Sequence, residues 1–401
     1  MASGPLHGVR VLDLSRVIAG PFCTMQLADL GADIIKIEHP ERGDDSRGMK
    51  PPEAGGESHF FLAFNRSKKS VALDMATKDG AEIIRALAAR SDVLVQNFRP
   101  GVMERLGFDY ATLATLNPGL VYCAISAYGQ TGPQASRPGF DPVLQAESGM
   151  MAITGEEGGD PLRHPLAIVD TFTALYASSA ILAALYSRKD TGKGQLIDLA
   201  LMDCSLAVLG NVAEYYLTSG ENPPRMGNAH PAAIPVGLFK TRTGPFYMAC
   251  GTDRLFHQLC REVLGRPEMA EDPRFARNTA RAKNREALFT FLDDLFLTDT
   301  CEHWLGKLEA AGLPAGPVRT VSEALESSEA RERGMVAHVK HPTAGDLRIV
   351  GSPYRLSATP VETPTAPPLL GQHTDDVLRD LLGYDEARIS GLRDAKVIRG
   401  A

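Results

Sequence analysis

Tryptophan is nearly absent, with one in 401 residues, and the six cysteines (23, 123, 204, 250, 260 and 301) are scattered with no C-x-x-C pair. That spacing excludes a disulfide-stapled miniprotein and leads to the expectation of a cytoplasmic protein with reduced thiols. The ten histidines form no H-E-x-x-H or Cys/His cluster, so no metal is expected. A basic excess is missing too: Asp and Glu total 49 against 42 Lys and Arg, a net charge of −7. No global field draws such a chain to nucleic acid or to an anionic membrane, and any anion it binds is held locally. The most apolar run, 174–186, has 13 residues, two of them serine. This is short of the roughly 20 that cross a bilayer. The opening MASGPLHGVRVLDL has neither a basic n-region nor an apolar h-region, so no signal peptide is expected. What is present is 44% hydrophobic and 23% charged residues, the composition of an aliphatic-cored globular protein.

Short β-branched runs alternate with helical patterns over the first 126 residues. Strands are predicted at 9–14, 34–38, 70–73, 93–96 and 121–126, with helices near 78–89 and 110–116 among the intervening segments. That order implies an α/β fold, a mainly parallel sheet in a Rossmann-like domain. The first βα turn reads S-R-V-I-A-G-P rather than G-x-G-x-x-G, which removes the main support for a dinucleotide, and no P-loop is present. A loop-rich passage covers 127–160 and a long helix is predicted over 171–187. The proline-rich segment 221–237 marks a boundary, and 238–325 reads as a small α+β unit. A second boundary follows. The tail holds a strand near 335–340, a proline-rich connection and a helix near 374–382.

Asp170 stands directly before the predicted long helix. Aspartate is among the best N-caps, and an ionised, partly desolvated carboxylate at a helix N-terminus can also attack an acyl group; spacing alone leaves both roles open. Arg66, Lys68, Lys69, Arg99 and Arg105 cluster near predicted strand ends. They are either a solvated face or a phosphate site.

A set of motifs then goes beyond fold class. V-L-D-L-S-R-V-I-A-G-P (11–21), L-G-A-D-I-I-K-I-E (30–38), G-D-D-S-R (43–47), N-R-S-K-K-S-V-A-L-D-M (65–75), V-Q-N-F-R-P-G (95–101), Y-G-Q-T-G-P (128–133), P-L-A-I-V-D (165–170), T-G-K-G-Q (191–195), G-L-P-A-G-P-V (312–318) and L-L-G-Q-H-T (369–374) occur in this order. Together they resemble the class III CoA-transferase family, of the formyl-CoA and carnitine CoA-transferase type, nearly end to end. The segment 158–170 is most similar to the dicarboxylate members that use succinyl-CoA.

The resemblance implies a large Rossmann-like CoA-binding domain built from both chain ends (1–220 and 330–401), a small α+β domain (226–325), and an interlocked homodimer. It implies no permanently bound cofactor, with acyl-CoA and a small carboxylic acid as substrates. Asp170 would be the nucleophile, passing through a mixed anhydride and an aspartyl-CoA thioester. CoA contacts would fall on Val17, Ile18, Ala19, His39, Leu73, Asn97, Phe98, Arg105, Arg137 and Phe140. The formyl-CoA enzyme has arginine in place of His39, so Arg42 or Arg47 would take the CoA phosphate. Arg225 and His230 would meet the far carboxylate of a dicarboxylic acid. The rival activity of the same fold is α-methylacyl-CoA racemisation, whose catalytic histidine falls in a G-H-D segment that here reads Gly139-Phe140-Asp141. Phenylalanine shuttles no proton. A non-catalytic CoA-binding protein is the other alternative.

Overall fold

The computed structural model describes residues 4–400 and divides into two compact units, one of 1–150, 163–220 and 328–401, the other of 151–162 and 221–327. The excursion 151–162 packs with the second unit, not with the first, where the sequence places it. No change of composition marks it.

The first unit is built on strands β1 (Arg10–Asp13), β2 (Asp33–Glu38), β3 (Lys68–Leu73), β4 (Val93–Gln96), β5 (Val121–Ser126), β6 (Leu196–Ala200) and β7 (Ile398–Arg399), in the spatial order β7-β3-β2-β1-β4-β5-β6. All pairings are parallel except β7 on β3. This is the doubly wound α/β arrangement expected of the alternating runs, with its switch point between β1 and β4. Alternation assigns neighbouring residues to opposite faces. Leu12, Ile35, Val71 and Leu94 pack under helix α2 (Lys78–Ala88) and the C-terminal helices, whereas Val11, Ile34, Val93 and Val121 pack under α1 (Ala19–Asp29). With both faces covered, the strands read as continuous apolar runs.

Further along lie α3 (Asp141–Glu147) and α4 (Ile168–Thr191). α4 is long and apolar enough by length and composition to cross a membrane. Its buried residues, among them Val169, Thr173, Ala177, Ile181 and Ala184, recur every three or four positions and lie in the core beside α1 and β5, as in a core helix.

Charges interrupt this core at the ends of the strands. Lys36 pairs with Asp44 at 2.8 Å and Lys68 with Asp13 at 3.1 Å, all four side chains fully buried. Arg47 pairs with Glu38 and Glu57, and Arg66 with Asp29. Burial pushes the Lys68 ammonium down to about 8 against the pull of Asp13.

In the second unit, a three-stranded antiparallel sheet of Val236–Lys240, Pro245–Ala249 and Ala315–Pro317 packs on helices through Phe239, Phe246, Phe296 and Trp304. Arg281, 0% exposed, donates to the carbonyls of Ile234, Phe275 and Gly251 and to Asp253.

Candidate active site

The site grows from the two strands that flank the switch point, where open α/β sheets receive ligands. After β1 the chain turns through Ser15, Arg16 and Val17 into α1. After β4 comes Asn97, whose side chain accepts from the Arg16 N–H at 2.9 Å and donates to the Arg16 carbonyl at 2.8 Å. Val17 then adopts φ +69°, a left-handed conformation strained for a β-branched residue. Ile18 is the N-cap of α1 and Ala19 its first residue, and their N–H groups have no hydrogen-bond partner among the described residues.

Asp170 lies in the first turn of α4, not at its N-cap. The helix starts at Ile168, three residues earlier than predicted, because Asp141 caps it from outside. Asp141 Oδ2 accepts from the N–H groups of Val169 at 2.7 Å and Asp170 at 3.1 Å, while Gln145 donates to its Oδ1 at 2.6 Å. The carboxyl of Asp170 is thereby released from capping, and its oxygens have no hydrogen bond among the described residues. Burial, with the Asp141 charge adding, pushes Asp170 up to about 7. A half-buried, unbonded carboxyl with a raised pKa is the combination expected of a reactive group.

Asp170 lines a cavity of ≈ 280 Å³ together with Val17, Ile18, Ala19, Asn97, Phe98, Arg99, Arg137, Phe140 and Asp141. A second cavity of ≈ 490 Å³ shares Arg16 and Phe98 with it and adds His39, Arg42, Leu73, Asp74 and Met75. The two form an elongated groove, with a carboxyl at one end and His39 and Arg42 at the other. A more open cleft of ≈ 1020 Å³ adjoins at His39 and Asp74 but carries no other candidate residue. At the narrow end Gly139 fits only as glycine: a Cβ there would stand 2.6 Å from Ala127 Cβ and 2.8 Å from Leu144 Cδ2. Gly139→Ala should therefore destabilise the fold by about 1–3 kcal/mol, read by chemical denaturation, and displace Phe140 from the cavity.

The side chains foreseen at the site have unequal parts in it. His39 Nδ1 accepts from the Glu41 N–H at 3.2 Å, and the residue lines the second cavity. Arg42 is exposed and has no ion pair among the described residues, so it is free for a phosphate. Arg47 is not: its guanidinium is held by Glu38, Glu57 and the Pro368 carbonyl. Arg137 lines the cavity while engaging Glu147 and lying over Tyr128. Arg105 is exposed on the turn whose Val102 and Leu106 line the groove and is not itself a lining residue. Arg225 and His230 belong to the second unit, outside the lining of the Asp170 cavity, and His230 Nδ1 accepts from the N–H groups of Ala232 and Ala233. Of the basic cluster, Arg66 and Lys68 are internal counter-ions and Lys69 pairs with Asp33, which leaves Arg99 in the cavity wall. Three residues were not singled out from the sequence: Arg16, over the Phe98 ring at 4.9 Å, Asp44 and Asp141. Their only signal was membership of the strand-end motifs S-R-V, G-D-D and G-F-D.

An open doubly wound sheet with a carboxyl free of hydrogen bonds among the described residues beside its switch point places a candidate reactive group where such sheets receive ligands. The chain belongs to CoA-transferase family III, whose model matches residues 6–374, and it is a CoA-transferase. It is 40% identical to a mouse (Mus musculus) protein named succinyl-CoA:glutarate CoA-transferase, over 98% of this chain and 90% of that protein. Identity is 39% to the succinate–glutarate CoA-transferase of Agrobacterium fabrum, over 94% and 96%. Among solved structures, a CaiB/BaiF family protein from Brucella suis superposes with a TM-score of 0.85 at 39% identity, covering 95% of this chain and all of that one.

Proposed function

We propose that the protein transfers CoA from succinyl-CoA to a small dicarboxylic acid, with Asp170 as the nucleophile. The observation that carries this reading is the Asp170 carboxyl, without a hydrogen bond among the described residues, in the wall of a cavity that meets the His39 and Arg42 cavity at Arg16 and Phe98. The succinyl-CoA in the mouse relative's name, and the succinate in that of the Agrobacterium relative, support the donor. The carboxylate attacks the thioester carbon; a C–O bond forms, the C–S bond breaks, and CoA leaves as thiolate. The thiolate then attacks the aspartyl carbonyl of the mixed anhydride and frees succinate. The acceptor carboxylate displaces CoA from Asp170, and returning thiolate releases the new acyl-CoA and restores the carboxylate. One thioester is exchanged for another, so the sum is nearly isoenergetic and needs no ATP. Water would hydrolyse the anhydride, which makes its exclusion the main demand on the cavity.

Phe140, 69% exposed, stands at the sequence position of the racemase histidine and offers no proton. We also read the chain as a homodimer, because Leu175, Tyr176 and Tyr186 on α4 and Tyr215, Tyr216 and Leu217 beyond it stay exposed in the single chain. Sedimentation giving a monomer would reject that part.

The purified protein is incubated with succinyl-CoA and a panel of acids including glutarate and oxalate, without ATP or metal, and acyl-CoA species are followed by mass spectrometry. A new thioester with stoichiometric succinate release is expected. Acid-independent α-deuterium exchange in a branched acyl-CoA, without transfer, would replace the proposal with the racemase. At the other end of the groove, Arg42→Ala should raise KM for succinyl-CoA about tenfold, the scale of one charge-assisted hydrogen bond. The same change should leave KM for the 3′-dephospho thioester almost unaltered; an equal rise for both would move the phosphate away from Arg42.

A further inference from the structure

The turn that begins the site is held by the side chains of Asp13, Lys36, Asp44 and Asn97. The Ser15 N–H goes to Asp13 at 2.9 Å and the Ser15 carbonyl to Lys36 Nζ at 2.8 Å. Asn97 holds both backbone groups of Arg16 at 2.9 and 2.8 Å. The Val17 N–H is shared by the two carboxylate oxygens of Asp44 at 3.1 and 3.3 Å. From the Ser15 N–H to the Val17 N–H, each backbone polar group is therefore bound by a side chain from another part of the turn's surroundings. The next two amides, Ile18 and Ala19, are bound by none among the described residues, and both residues line the cavity with Asp170.

Three non-glycine residues among those described have a positive φ: Val17, Ser67 and Lys396. Of these Val17 alone is β-branched, the type least tolerant of that region. Such strain persists only where the surroundings over-determine it. Asp44 supplies that constraint and is itself held in place by Lys36 at 2.8 Å, with both side chains fully buried, and by the Ser46 N–H at 2.8 Å.

We propose that the Lys36–Asp44 pair is a positioning device for the active site: it holds Val17 in the left-handed conformation, which directs the unbonded amides of Ile18 and Ala19 into the cavity where the acyl-CoA reacts. Asp44 also lines the second cavity, but its carboxylate oxygens are taken up by Lys36, the Ser46 N–H and the Val17 N–H, and it acts through Val17. The inference rests on the reading of the groove as the CoA site.

The test couples residues 44 and 17. Asp44→Asn loses the charge and half of the shared acceptor, and should weaken CoA binding about tenfold by calorimetry, with KM for succinyl-CoA raised in step. Val17→Gly removes the steric cost of a positive φ, so the double variant Val17→Gly/Asp44→Asn should recover most of the roughly tenfold loss of affinity. A structural defect elsewhere would not be repaired by glycine at 17. Should Asp44→Asn leave Lys36 unpaired and the chain unfolded, Lys36→Gln/Asp44→Asn removes both charges together and takes its place in the same comparison. Unchanged CoA affinity in a folded Asp44 variant, or a loss that Val17→Gly does not restore, overturns the proposal. Absence of CoA transfer by the unmodified protein would instead overturn the functional reading, and CoA affinity is measured independently of it.

Discussion

Asp170→Asn is expected to abolish CoA transfer, with a fall of at least ~10³-fold, while CoA affinity changes by less than about threefold. The amide is nearly isosteric but has no anionic oxygen to attack a thioester. Because the carboxyl makes no hydrogen bond among the described residues, little structure depends on it. A second consequence concerns stability. Burial raises Asp170 from 3.8 to about 7, so the folded state binds this proton more tightly than the unfolded chain does. The favourable contribution is complete below the unfolded value and is lost as pH rises through about 7. Keeping the ionised form folded then costs up to about 4 kcal/mol, at about 1.4 kcal/mol per tenfold in proton affinity, less what solvent screens at a half-buried position. Asparagine avoids that cost. Thermal denaturation should show Asp170→Asn to be more stable than the parent at pH 8.5 and little different at pH 4. Equal stability at both pH values would mean that Asp170 titrates normally, and retained turnover would remove it as nucleophile.

Asp141 is expected to give the second large effect, through two separable roles. Asp141→Ala takes the acceptor from the Val169 and Asp170 N–H groups and leaves Gln145 without its short contact, so the fold should lose about 2–3 kcal/mol. Asp141→Asn retains a side-chain oxygen for the helix N–H groups and removes the charge together with the acceptor for Gln145. The rate depends on the ionised nucleophile, so kcat/KM of the parent should rise with pH through about 7 and level off above it. The smaller of the two causes that raise Asp170 disappears in Asp141→Asn. Its profile should therefore move to lower pH without reaching that of a free carboxylate, because burial remains. A pH–rate profile that coincides with the parent would show that the Asp141 charge is not felt at the nucleophile.

The sheet was legible because its strands are short, apolar and closed by turns: β4 and β5 occur with the bounds their β-branched runs predict. The two-residue β7 had no such signal. It pairs with β3 only because the chain returns from its far end, with Ile398 opposite Leu73. The helix bearing Asp170 was also legible, but its start was not. The cap comes from Asp141, 28 residues before Val169, and local spacing shows only the aspartate nearest the helix.

The basic residues divide in the same way. Arg66 and Lys68 look alike in a sequence, but Asp29 and Asp13 stand 37 and 55 residues from them and convert both into buried counter-ions. Arg42 has no such partner and remains at the groove. The sequence by itself determined the alternating α/β plan, the family motifs and the aspartate that heads the long helix, since periodicity and strand-end turns are local. Only the tertiary structure decided which charges face the groove, which carboxyl caps and which is left free, and how Val17 is held. Those outcomes depend on desolvation and on hydrogen bonds between strand ends far apart in the chain, where a charge is tolerated inside only when a distant partner meets it.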